Sequence, residues 1–338
     1  MLAIKNQSGG LLLEIEAENL LYADLNGKEL SFADLCFAVL FNAKLEGSIL
    51  NNADLRGANL SGGSLLGASL MKAILKGAKL EGANLTDANL EGANLSATHC
   101  VQGNFTNCNF RRADLSQADF SRATLRGANL ENAELYETKL PHADLSGAKL
   151  IKASLLKLQA QSAIFVEANF EKADMEMAQL AWADLTKASL VGALMRNAKF
   201  NSANLSQANL QNANMNQANF SQANLSDADL EGAKAFQTNL SGANLKGANL
   251  NRAALQGASL SLSSLEGAKL KGADLQGANL KGARYNDETT FPPNFKPEQQ
   301  GLIFMLIKPE EQQAEISATL TVQGESPPQS VPESSKAT

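Results

Sequence analysis

Two histidines and three cysteines are the scarce reactive side chains among 338 residues. A metal centre or a nucleophile with its base needs such groups to converge. His99 and His142 stand 43 residues apart, and Cys36, Cys100 and Cys108 show no metal-ligand spacing with them or with one another. No phosphate loop and no nucleophile elbow occurs. Carboxylates are plentiful, but Asp and Asn recur in one slot of a repeat, as at Asn84, Asn89, Asp114 and Asp144. No single carboxylate therefore stands out as a general acid or base. The expectation is a protein that is not an enzyme, with no catalytic, cofactor-binding or metal-binding residues and no cofactor.

What positions these residues is a period of five. In the stretch 81–95, EGANLTDANLEGANL, Leu returns at 85, 90 and 95, with Ala two places before each. From Leu20 to Tyr285 nearly every fifth residue is large and apolar, and the frame does not slip over about 54 repeats. Most of these centres are Leu, with Phe at 105, 110, 120, 165, 170, 200 and 220 and Met at 175, 195 and 215. An α-helix turns about 500° in five residues, which smears the leucines round its surface. A straight strand sends successive leucines to opposite faces, because five is odd. The chain must therefore bend once per repeat.

Ala and Leu, two apart, face one way from a short extended segment, and the residue between them faces out. The second residue after Leu is very often Gly: 19 of the 25 glycines occupy that slot, Gly82, Gly92 and Gly127 among them. Asn fills it at 42, 52, 132, 197 and 212. Both residue types suit the positive φ of a type II turn. Short strands joined by such corners wind into a coil with Leu and Ala inside. Stacked coils would lie about 4.8 Å apart, and facing walls about 10 Å apart suit four sides better than three.

The motif A-(D/N)-L-x-x, as in Ala83-Asn84-Leu85-Thr86-Asp87, resembles the pentapeptide repeat family over residues 20–285. That resemblance implies an all-β fold, a right-handed quadrilateral β-helix of about 13 coils with short terminal caps. It also implies a role played through surface contact. Some family members mimic duplex DNA and act on type II topoisomerases, which sets an alternative reading.

Several stretches depart from the pattern. Phe105 and Phe110 lie near Gly103 and Cys108 in the Ala slot, which keeps core volume constant. Leu158 sits where Ala belongs and Ala160 sits at a centre. Overpacking there predicts a bulge or outward loop over 154–163. Lys28 occupies an inward slot, so the first coil is expected to be open or irregular there. Met175, Met195 and Met215, and likewise Phe200 and Phe220, should stack as core ladders. Glu91, Arg111 and Glu131 should align outside as a charge ladder. Cys100 and Cys108 read as buried thiols and Cys36 as an outward one. Residues 201–226 contain no charged residue. This predicts a flat, easily desolvated docking patch reaching corner sites Gln207, Asn212 and Gln217.

The net charge of −6 sits in the ends: the repeat carries +1, residues 1–19 carry −2 and residues 286–338 carry −5. A DNA mimic needs a strongly negative surface and a nucleic-acid binder a basic one. The near-neutral repeat disfavours both, and the DNA-mimicking modulator of a type II topoisomerase stays as the alternative reading. The expected organisation is an N-terminal cap or extension (1–19), the β-helix (20–285), a C-terminal cap (286–310) and a disordered tail (311–338). After Tyr285, Pro292, Pro293 and Pro297 stop the repeat, and Phe291, Phe295 and the run 302–307 should lie across the last coil. This segment resembles the closing segment of many cyanobacterial members of the family. No apolar run reaches the roughly 18 residues of a membrane span, and Lys5 with Leu11–Leu13 falls short of a signal peptide. The expectation is a cytoplasmic scaffold or regulator with a protein partner, no direct nucleic-acid or membrane contact, and self-association, if any, through an end of the rod.

Overall fold

The computed structural model describes residues 1–306. Its body is a right-handed quadrilateral β-helix in which the outward residue of each repeat bridges, in parallel, the residue 20 positions on. The four sides are marked by Asp24 (side 1), Glu29 (side 2), Asp34 (side 3) and Val39 (side 4), each continued every 20 residues. Side 1 runs from Asp24 to Arg284, 13 coil steps, or about 62 Å at 4.8 Å per step.

One repeat shows how the backbone is satisfied. Asn84 N–H donates back one coil to Gly63 O (2.9 Å), Leu85 N–H forward to Asn104 O (2.7 Å) and Asp87 N–H forward to Thr106 O (2.9 Å). Ala88 N–H closes the corner on Leu85 O (2.9 Å). Four of five donors thus find backbone acceptors. The fifth, Thr86 N–H, donates to the side-chain Oδ1 of Asn84 (3.1 Å). The same bond recurs at Asp114, Asp144, Asp174 and Asn224. The Asn or Asp of the motif is there because it completes the backbone inventory.

The second corner residue has positive φ throughout. Besides glycines, the slot accepts Tyr22 (56°), Arg112 (56°) and Trp182 (58°), but no Val, Ile or Thr. Branching at Cβ is what this conformation excludes. Every centre leucine from Leu25 to Leu270 is buried. Where Ser or Thr replaces the inward Ala, its hydroxyl is spent on a carbonyl: Ser48 Oγ on Leu45 O (2.7 Å), Thr138 Oγ1 on Leu115 O (2.8 Å). Phe105, Phe110 and Phe120 cluster with centroids 5.0–6.2 Å apart. A Cβ at Gly103 would meet the Phe105 ring at 2.6 Å, so the small residue makes room for the large one. Phe200 and Phe220 stack at 4.7 Å, one coil apart.

The expected bulge over 154–163 is absent. Ser154 and Gln159 bridge Asp174 and Gln179 in unbroken register, and both Leu158 and Ala160 are fully buried. Leu and Ala have exchanged places on one side, so the volume delivered to the core is unchanged. Lys28 also leaves the coil regular: Ile49 N–H still donates to Lys28 O (2.9 Å). Its side chain is exposed, because no coil lies beneath the first one. The charge ladder forms only in part: Arg111 pairs with Glu131 (3.6 Å), while Glu91 accepts from Asn109 Nδ2 (3.4 Å).

At the N-terminal end, strands β1 (Leu2–Lys5) and β2 (Leu11–Ile15) form an antiparallel hairpin. It docks on side 3 of the first coil through Asp34 N–H to Lys5 O (2.8 Å) and Gln7 N–H to Phe32 O (3.0 Å), and buries Ile4. At the other end, β3 (Arg284–Tyr285) pairs in parallel with β4 (Ile303–Phe304) on side 1. Thr290 covers side 2 through the N–H of Leu270 (2.7 Å). Phe291 and Phe295 pack against the core, as expected. Leu302 is buried, but Ile303, Phe304, Met305 and Leu306 remain exposed, so the run is only partly applied to the last coil. The expected disordered tail, 311–338, lies outside the described residues.

Two measurements check this reading. Leu158→Ala alone should cost about 2–5 kcal/mol and Ala160→Leu alone about 1–3 kcal/mol. The double exchange should lie near wild type, a coupling readable in denaturant titrations. Separately, Arg112→Val should destabilise by roughly 1–2 kcal/mol, whereas Arg112→Gly should not lower the melting temperature.

Candidate interaction surface

The reactive residues are not brought together. His99 lies on side 4 and His142 at the following corner, two coil steps further on, about 10 Å along the axis. Cys100 and Cys108 are buried; Cys100 Sγ donates to Thr98 Oγ1 (3.4 Å) and Cys108 Sγ to Leu85 O (2.8 Å). Burial pushes both thiols well above the usual range, so neither is a nucleophile near neutrality. Hydrogen bonds from the Arg56 guanidinium, Nε at 2.8 and 3.0 Å, hold the Asp54 carboxyl below its ordinary value. A hydrogen bond from Tyr136 (2.7 Å) does the same for Glu137. These shifts run opposite to those a general acid requires. Among the described residues no three His, Cys, Asp or Glu side chains are grouped to hold a metal ion, and no helix is long and apolar enough to cross a membrane.

What the fold does assemble is a surface. The uncharged run 201–226 is longer than one coil, so it girdles the rod instead of forming one patch. Gln207, Asn212 and Gln217 are exposed on three different corners. The corner between sides 4 and 1 behaves differently. There the coil register stacks Gln161 and Ser162, Ala181 and Trp182, Asn201 and Ser202, Ser221 and Gln222, Ser241 and Gly242, Ser261 and Leu262. No charged residue occurs in this column over five coil steps, about 24 Å. The other three corners carry charge over the same coils, with Glu167 and Lys187, Glu171 and Lys172, and Glu176 and Arg196.

Two large apolar side chains stand on this edge. Trp182 is 62% exposed and Leu262 is 72% exposed, four coil steps apart. The Trp182 N–H donates to Asn201 O (3.1 Å), which seats it beside the uncharged run. The adjoining wall of side 1 is a ladder of amides: Asn204 Nδ2 donates to Asp184 Oδ1 (3.2 Å), Asn224 to Asn204 (3.0 Å) and Asn244 to Asn224 (2.9 Å). Each of these Asn oxygens also accepts a backbone N–H, from Ser206, Ser226 and Lys246. The wall is polar in composition but already hydrogen-bonded, so covering it costs less than covering free amides. The linear sequence hides this edge; writing the chain in rows of 20 would have shown it.

The thiols give a direct check on burial. In the native protein a disulfide reagent should react quickly at Cys36 alone, with Cys100 and Cys108 reacting only after denaturation. Fast reaction of a second thiol would contradict the closed core.

Comparison with known proteins agrees with this architecture. A sequence model of the pentapeptide repeat region matches residues 163–240 and 183–260. A model of eight pentapeptide repeats matches 48–87, 88–127, 128–165 and 243–282. No protein of curated function matches. Among solved structures, HetL, a pentapeptide repeat protein involved in heterocyst differentiation regulation from the cyanobacterium Nostoc, is 35% identical; the match covers 64% of this chain and 86% of that one, with a TM-score of 0.32. Another Nostoc pentapeptide repeat protein is 42% identical over 32% of this chain and 84% of its own, with a TM-score of 0.22. QnrB1, a plasmid-mediated fluoroquinolone resistance protein, is 18% identical over 60% and 94%, with a TM-score of 0.27. The repeat of five, the four-sided coil and models that together span residues 48–282 lead to one conclusion: the chain belongs to the pentapeptide repeat family.

Proposed function

We propose that this protein is a non-enzymatic scaffold or regulator that binds a protein partner along the edge between sides 4 and 1. The observation that carries the reading is the charge-free column from Gln161 to Leu262 with Trp182 standing exposed on it. Protein interfaces are depleted of charge at their centres and enriched in Trp. The amide ladder beside the column lowers the polar cost of covering it. A rod whose coils are hydrogen-bonded throughout also loses little conformational freedom on association. The DNA-mimicking alternative asks for a strongly negative wall, and a repeat with net charge +1 does not provide one.

Affinity capture with three baits tests the proposal. One is the wild type. One carries Ser202→Lys and Gln222→Lys on the edge, and one carries Asn212→Lys on the opposite corner. Lysine is tolerated in this slot, as at Lys72, Lys152 and Lys172. A partner retained by the wild type and by Asn212→Lys but lost from the edge variant is the expected result. Trp182→Ala should then weaken that partner by about 2 kcal/mol or more, roughly 30-fold. Equal capture by all three baits would reject this edge as the binding surface.

A further inference from the structure

The charge-free column matches its own reversal. Its second-corner residues run Ser162, Trp182, Ser202, Gln222, Gly242 and Leu262, one per coil. Turned end for end about the midpoint between Ser202 and Gln222, the six pair as Trp182 with Gly242, Leu262 with Ser162, and Gln222 with Ser202. Each large side chain meets a small one. The first-corner residues behave alike: Gln161 meets Ser261, Ala181 meets Ser241, and Asn201 meets Ser221. The space over Gly242 is open, since a Cβ there would touch only Gln222 Cγ, at 3.5 Å. On the flanking walls Lys199 of side 4 falls opposite Asn219, and Asp184 of side 1 opposite Asn244, so no like charges are opposed.

We propose that the protein bound along this edge is a second copy of the chain, its rod antiparallel, about a two-fold axis between Ser202 and Gln222. The proposal rests on the edge reading above and names the partner for it. A two-fold contact is isologous, so Trp182 of each copy seats over Gly242 of the other. A parallel arrangement fails the same comparison. It sets Trp182 on Trp182 and Gly242 on Gly242, and the bulky pair holds the small ones out of contact. An uncharged strip suits identical molecules, because a charge near the two-fold axis faces its own copy, and opposed like charges are costly. The contact is one corner wide and about 24 Å long, at the small end of the range for specific interfaces. The dimer is therefore a weak one, formed at high protein concentration and closed at two.

Trp182 is the single tryptophan of the chain, so its fluorescence reports the contact directly. Sedimentation and acrylamide quenching are followed from roughly 1 μM to 1 mM protein for the wild type, Gly242→Lys and Gly192→Lys, the last on the diagonally opposite corner. Gly242 lies three coil steps from Trp182 in its own copy, so it reaches that ring only across the antiparallel contact. The wild type and Gly192→Lys should pass from monomer to dimer, with quenching falling at least about twofold as the exposed ring is covered. Gly242→Lys should stay monomeric with its quenching unchanged. Ser162→Lys, opposite Leu262, should also stay monomeric, which checks the register at an independent site. A wild type that is monomeric throughout would overturn the proposal. If the edge variant still loses a partner in affinity capture, the edge reading stands with a different protein bound. Dimerisation of both Gly242→Lys and Ser162→Lys at the wild-type concentration, or assembly that continues past two, would overturn the proposal equally.

Discussion

Five backbone N–H groups per repeat must each find an acceptor, and the rest of the molecule follows from how they do. Two donate to the coil above, one to the coil below, and one closes the corner. The fifth, at the first corner position, is taken by the outward Asn or Asp two residues before it where the repeat has one, and elsewhere by an Asn one coil below, as at Met71 and Phe236. An inventory balanced repeat by repeat can be copied indefinitely, which is why the rod continues for 13 coil steps with additional elements only at its ends among the described residues. It also accounts for the Asp residues of the outward slot, whose Oδ1 accepts a backbone N–H as at Asp114, Asp144 and Asp174.

The inner space imposes the second constraint. Each side delivers one small and one large side chain to a core that cannot expand, and the sequence varies only in ways that conserve that sum. Gly103 beside Phe105 and the exchanged pair Leu158 and Ala160 are two solutions to the same problem. Cys100 and Cys108 behave as further members of the core, because burial favours their neutral thiols. With the interior devoted to packing and the outward Asn and Asp devoted to the backbone, corner side chains are the freest to differ. The edge carrying Trp182 and Leu262 is where that freedom has been used to exclude charge.

The ends are where the repeating rule fails, and the two ends fail differently. At the N-terminal end a hairpin covers side 3 and Lys28 turns outward, since nothing lies beneath it. At the C-terminal end three prolines and a 3-10 turn at Pro297–Gln300 lift the chain off the coil before it returns to side 1 as β4. Among the described residues the N–H groups of Gly272, Leu275, Gly277 and Leu280 find no acceptor as a result.

The period of five, by itself, determined that the chain coils, that Leu and Ala face inward, and that the second corner residue has positive φ, because each is a local steric requirement repeated without a slip. It also determined that Phe200 and Phe220 would stack, once four sides were taken. It did not determine the path at Leu158: a local rule sees an oversized residue, while the core sees only the volume shared with Ala160. Nor did it reveal the charge-free edge. Residues 201–226 look like one patch in linear order but wrap round all four sides, whereas Trp182, Ser202, Gln222 and Leu262 are far apart in sequence and form a single edge. That edge exists only because each coil closes on 20 residues, and closure is decided by hydrogen bonds between coils that no single repeat contains.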